Sequence, residues 1–184
     1  RWWSPRAHGV TVMTPVGDDR VEVLRGTLAG YGSGAAGPLA AVDGLHLARW
    51  AVVDWVQDSP EPSEVRRQAP ARLLFSAEFQ GRPKACLART VADLGAAADE
   101  VWGHCEGWPG SARPADAVHY LARHRVRSHL NFAAYGRYDV ESVRRALDRR
   151  RRLLAFVADS EGRTGTDQLR AFRFISTRTI SRGV

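Results

Sequence analysis

The sequence predicts an α+β domain built on one antiparallel sheet with helices on one face, and three observations carry that expectation. Two apolar runs rich in β-branched and aromatic residues, LHLARWAVVDW (Leu45–Trp55) and ARLLFSAEFQG (Ala71–Gly81), are separated by a polar, proline-containing loop with no helical pattern, which favours antiparallel pairing. Segments of helical periodicity lie on either side of this pair. A further short strand stands at each end, so the chain reads β-α-β-β-α-(α)-β-α.

The elements follow in order. VTVMTPV (Val10–Val16) is a strand ending at Gly17-Asp18-Asp19, a helix start. Val21, Leu24 and Leu28 recur at helical spacing between Asp19 and Tyr31, and the glycine-rich run from Gly30 to Pro38 stops the helix. After the two central strands, Pro83 occupies a first-turn position. Leu87, Val91, Leu94, Ala98 and Val101 then mark one face of a single helix. A turn-rich stretch (Val101–Pro114) and a short helix (Ala115–Arg123) lead to the last strand, SHLNFAAYGRY (Ser128–Tyr138). Asp139 caps a long helix to about Ala158, with Val140, Val143, Leu147, Leu154 and Val157 as its buried stripe and Arg149–Arg152 on its wet face. Residues 1–159 form the domain. Residues 160–184 are a polar tail, or a closing strand near Arg170–Ile180. The order fits a ferredoxin-like β-α-β-β-α-β sheet, whose second face needs a partner; a homodimer covers it most simply.

A chain of 184 residues with 44% hydrophobic content has material for one core. No run reaches the ~20 apolar residues of a membrane span, and no apolar leader is visible, so the cytoplasm is the default address. Cys86 and Cys105, alone and widely spaced, read as reduced thiols rather than a disulfide framework or zinc site. The net charge of +7 lies entirely in the last two-fifths: residues 113–184 hold 16 arginines against 7 acids, and residues 1–112 hold 11 bases against 13 acids. That asymmetry raises nucleic-acid binding, which the lack of an aromatic stacking platform disfavours.

Candidate chemistry sits in three places. On the central strands, alternation puts His46 with Trp50 and sets Arg49 on the other face, next to a strand carrying Glu78. His46 or Arg49 with Glu78 is either a structural cross-strand pair or the polar end of a ligand pocket, because unpaired polar groups inside a sheet are costly. WGHCEGWPG (Trp102–Gly110) presents His104 beside Glu106 in a loop that also simply packs two tryptophans. His119 and His124 are five apart, a poor chelating spacing on one helix, so no metal site is expected; any one imidazole suffices as an axial ligand for haem iron. There is no P-loop, GxSxG or GxGxxG.

HLARWAVVD (His46–Asp54), RLLFSAEFQG (Arg72–Gly81), VWGHCEGWP (Val101–Pro109) and HRVRSHLNFAAYGRYDVESV (His124–Val143) resemble, in order, motifs of a bacterial group carrying HFARW, LLF-S-N-DG and VW with G-P. That group is described as peroxidase- or catalase-related, with ferredoxin-like domains akin to dimeric α/β-barrel proteins. The likeness runs from about Val10 to Leu147. It implies a pocket-bearing fold shared by haem peroxidases, cofactor-free monooxygenases and isomerases. Two departures stand out: Glu78-Phe79-Gln80-Gly81 replaces the group's Asn and Asp-Gly, and no histidine follows His129. If haem binds, His104, His119 or His124 holds it, and Arg49 is the distal group. The expectation is thus a small-molecule oxidoreductase, peroxidase-like and haem-dependent in its strongest form, with His46, Arg49 and Glu78 near the pocket. Its rivals are a cofactor-free monooxygenase or isomerase using a His/Glu acid–base pair, and a binding module whose basic C-terminal helix meets an acidic partner or nucleic acid.

Overall fold

The computed structural model describes residues 7–32, 37–56, 67–127, 138–160, 165–167, 169 and 172. It falls into two units, Arg1–Asp139 and Val140–Val184.

In the first unit the order is β1 (Ala7–Pro15), α1 (Val21–Gly30), β2 (Leu45–Val56), β3 (Arg67–Gln80), α2 (Pro83–Leu94), α3 (Ala96–Trp102), α4 (Pro114–Arg123) and β4 (Arg125–Val126). The strands form one sheet in the order β2-β3-β1-β4, and every neighbouring pair is antiparallel. The α+β class and the four-stranded antiparallel sheet are as the sequence predicts.

Alternation along β3 explains the layering. Ala71, Leu73, Phe75, Ala77 and Phe79 are buried, and Val10, Val12 and Thr14 of β1 bury the same face. Ala48, Trp50 and Val52 of β2 pack beside them, opposite Ala77, Phe75 and Leu73. Onto this face the helices bring Leu24, Leu87, Val91, Ala98, Trp102, Ala117 and Leu121, making one core. Each fully buried Leu, Val or Phe contributes about 1.5–3 kcal/mol, enough to fix the strand register. The second face carries Leu47, Arg49, Ala51 and Val53 of β2, Leu74, Ser76 and Glu78 of β3, and Thr11 and Met13 of β1, all exposed or half-buried.

Three expectations are corrected, and two fall outside the described residues. The helix expected to run from Pro83 through Val101 is two helices, because Gly95 adopts φ +51° and ψ −119° and ends the first. The described fourth strand is Arg125–Val126, pairing with Val12 and Thr11 directly after α4; residues 128–137, where the sequence puts that strand, lie outside the described residues. So does most of the suggested closing strand. Arg49 and Glu78 share a face but make no ion pair among the described residues, since Arg49 stands opposite Ser76 and Leu47 opposite Glu78. In the second unit, α5 (Val140–Ser160) is a helix as expected, yet Leu147, Leu154 and Val157 are 52%, 53% and 53% exposed. Its periodicity therefore reports amphipathicity and not burial.

Candidate functional site

A cavity of about 220 Å³ lies where the end of α1, the short 3-10 turn Pro38–Ala41 and the middle of β2 meet. Its walls include Leu28, Tyr31, Pro38, Leu39, Arg49 and Trp50. Local sequence chemistry holds those elements apart and in place. Arg25 of α1 donates from Nη2 to Asp54 Oδ2 of β2 at 2.8 Å. The Tyr31 hydroxyl donates to the Glu100 carboxylate, tying the end of α1 to α3. The turn is pinned on its far side, where the Asp43 amide donates to Asp93 Oδ2 at 3.0 Å and the Gln80 amide to the Gly44 carbonyl at 2.9 Å. Gly44 is required there: its φ is +71°, and a Cβ would stand 2.7 Å from Arg89 Nη1.

Trp50 dominates the inner wall. Its ring meets Tyr31, Phe75 and Trp102 at centroid distances of 6.2, 6.1 and 5.7 Å. Its indole Nε1 is buried and has no hydrogen-bond partner among the described residues. An unpaired buried N–H is destabilising by about 1–3 kcal/mol. Burial, together with the hydrogen bond to Glu100 and its negative charge, pushes the Tyr31 phenol up to about 12, keeping it a neutral donor at physiological pH.

Behind this wall the aromatic core continues. Trp102 stacks on Trp108 at 5.7 Å, and Trp108 meets Tyr120 edge-on at 5.5 Å. Asp99 organises the loop that carries Trp108: Oδ1 accepts from Trp108 Nε1 and the Ser111 amide, both at 2.7 Å, and Oδ2 accepts from the Ser111 hydroxyl at 2.6 Å. Burial raises the Asp99 carboxyl, but these bonds outweigh it and hold the group below its ordinary value. Cys105, at 3.1 Å from Thr14 Oγ1, is pushed up to about 11 by burial, and Cys86 likewise to about 11. Both are therefore thiols and poor nucleophiles at neutral pH.

The residues singled out in the sequence do not converge on this cavity. Arg49 alone lines it. His46 is the extra residue of a β-bulge: Leu45 pairs with Phe79 and Leu47 with Glu78, so His46 and Leu47 both stand across from Glu78. Alternation therefore does not assign His46 to Trp50's face, and its Nε2 is buried without a partner among the described residues. His104 lies toward the opposite end of the sheet, in the loop where Cys105 bridges to Val16, with Nδ1 buried and without a partner among the described residues. His119 is exposed on α4. His124 ends that helix with Nδ1 2.9 Å from the Tyr120 carbonyl and its ring 4.5 Å from the Tyr120 ring. Tyr31, Trp50 and Asp99 are the residues sequence reasoning missed. Trp50 looks like ordinary core, and the partners of Tyr31 and Asp99 are set by folding.

The haem implied by the resemblance does not fit this cavity. No imidazole is on its wall, and about 220 Å³ is below the ~300 Å³ at which pockets for drug-sized ligands begin, while a porphyrin exceeds such ligands. Among the described residues no three His, Cys, Asp or Glu side chains gather as a metal site would require. No described helix is long and apolar enough to cross a membrane. The chain matches no family model, no curated protein and no solved structure.

Proposed function

We propose that this chain is a small-molecule oxidoreductase with a ferredoxin-like domain of the dimeric α/β-barrel type, and that it takes a flat, phenol-sized reductant in the Trp50 cavity. One observation carries the reading: the cavity is walled by two aromatic side chains, one of which, Trp50, has a buried indole N–H lacking an acceptor among the described residues. A phenolic oxygen is such an acceptor, and a phenol ring suits walls made of Tyr31, Trp50, Leu28 and Pro38. The strand order and the three antiparallel pairings support the ferredoxin-like assignment. The resemblance supplies hydrogen peroxide as the oxidant. Each phenol then loses one electron and one proton, so that two phenols and one peroxide yield two phenoxyl radicals and two waters.

The test is guaiacol oxidation by peroxide, with and without added haemin, in the parent chain and in Trp50→Phe and Leu39→Trp. Filling the cavity with the larger ring of Leu39→Trp is expected to lower the rate about tenfold or more at unchanged thermal midpoint. A parent chain inactive in both conditions, or a Leu39→Trp variant as active as the parent, contradicts the reading.

The sheet's second face supports a homodimer. Leu47 is 67% exposed there, beside Ala51, Val53, Leu74 and Met13, and such a face is covered most simply by a second copy. Sedimentation velocity should show a dimer that Leu47→Glu converts to monomer. A monomeric parent chain contradicts this part alone.

A further inference from the structure

Helix α5 carries a surface that the oxidoreductase reading does not use. It is 21 residues long, with six arginines against three carboxylates. At about 3.6 residues per turn, Val140, Val143, Leu147, Leu154 and Val157 fall on one face. Leu147, Leu153, Leu154 and Val157 are each about half exposed, at 52%, 49%, 53% and 53%. The charges are sorted around that stripe. Arg150 lies within it, Arg144 and Arg151 run along one flank, and Arg149 lies beyond the other. Glu141, Asp148 and Asp159 gather on the opposite side. Asp148 is already engaged, with Arg152 at 2.7 Å and Arg151 at 3.6 Å. Among the described residues, Arg144, Arg149 and Arg150 have no carboxylate within ion-pairing distance.

We infer that α5 is an interfacial helix that seats on an anionic lipid surface. An aliphatic stripe bordered by arginines on both sides, with acids held away, matches a plane of phosphates lying over acyl chains. Such a helix rests about 5–10 Å into the headgroup boundary, and arginine stems lie along the apolar layer while their guanidinium groups reach the phosphates. Arg150 fits that shallow seat. The same residue argues against a second copy on this face, because two facing stripes bring Arg150 toward its own equivalent in a low-dielectric contact. Nucleic acid accounts for the arginines but makes no use of the exposed leucines.

The test is co-sedimentation of the full chain with vesicles of phosphatidylcholine alone or mixed equally with phosphatidylglycerol. Binding to the mixed vesicles is expected, weaker by about tenfold or more on phosphatidylcholine alone and falling with added salt. The double variant Leu147→Ser/Leu154→Ser should lose about tenfold or more, with helicity unchanged by circular dichroism. Arg149→Gln/Arg150→Gln, which leaves the apolar stripe intact, should lose a comparable factor. The inference is overturned if neither vesicle binds, if both bind equally, or if the leucine variant binds as well as the parent. That last outcome is the charge-only behaviour of a nucleic-acid binder. Guaiacol oxidation is read separately, so failure of either proposal leaves the other standing.

Discussion

Asp99 shows how one side chain fixes a loop that its neighbours in sequence cannot. Its two oxygens hold Trp108 and Ser111, nine and twelve residues on. Hydrogen bonds to a charged group are worth about 1.5–3 kcal/mol each, so Asp99→Ala is expected to destabilise the chain by about 2–4 kcal/mol in urea unfolding. The pH dependence follows from the direction of its shift. The folded carboxyl titrates below its ordinary value, so the unfolded chain binds that proton more readily. The stabilisation is complete above the unfolded value, about 3.9, and disappears as pH falls through the folded one. Thermal midpoints of Asp99→Asn should therefore fall less steeply between neutral pH and pH 3 than those of the parent; parallel curves contradict this assignment. Nothing in WGHCEGWPG marks the loop's organiser, since Asp99 sits outside it on α3 and the pairing with Ser111 exists only once the loop has closed. His104, which the loop's composition does advertise, ends with a buried nitrogen that has no partner among the described residues and no place in the cavity.

At the scale of elements, strands were legible and interruptions were not. β1, β2 and β3 follow from alternation of side chains that face a single core, a pattern that survives ignorance of the fold. The start of α2 follows from Pro83 at its first turn. The break at Gly95 is invisible because Leu94 and Ala98 continue the apolar spacing on both sides of it, and a helix tolerates an isolated glycine. Its positive φ with strongly negative ψ is open to glycine and closed to alanine. Gly95→Ala should cost about 1–3 kcal/mol in chemical denaturation. No atom stands within 4 Å of the added Cβ, so any loss is backbone strain. A neutral substitution contradicts that conformation. The bulge at His46 escaped for a different reason: alternation assumes one residue per rung, and an added residue reassigns the face of every side chain beyond it. Periodicity also misassigned α5, where a stripe compatible with a buried seam is exposed along Leu147, Leu154 and Val157. Amphipathicity states that a helix has two faces and leaves open what meets the apolar one.

For the whole molecule, the order of elements was enough to give an α+β sheet with one covered and one open face, because short connections and an antiparallel central pair leave few arrangements. The cavity was not legible. It arises where three segments distant in sequence, Leu28–Tyr31, Pro38–Leu39 and Ala48–Trp50, are spaced by Arg25–Asp54, Tyr31–Glu100 and the pinned 3-10 turn. Only Arg49 among the anticipated residues reached it, since strand polarity selects groups that need partners and the cavity is mostly apolar. The proposed function depends on the Trp50 indole N–H, buried and without a partner among the described residues. The most direct measurement is the indole ¹⁵N–¹H spectrum of the chain's six tryptophans during a guaiacol titration, with Trp50 identified by its loss in Trp50→Phe. With guaiacol in the cavity, the Trp50 resonance is expected to shift saturably while that of Trp108, already bonded to Asp99, stays in place. A Trp50 resonance that does not move through millimolar guaiacol contradicts the proposed function.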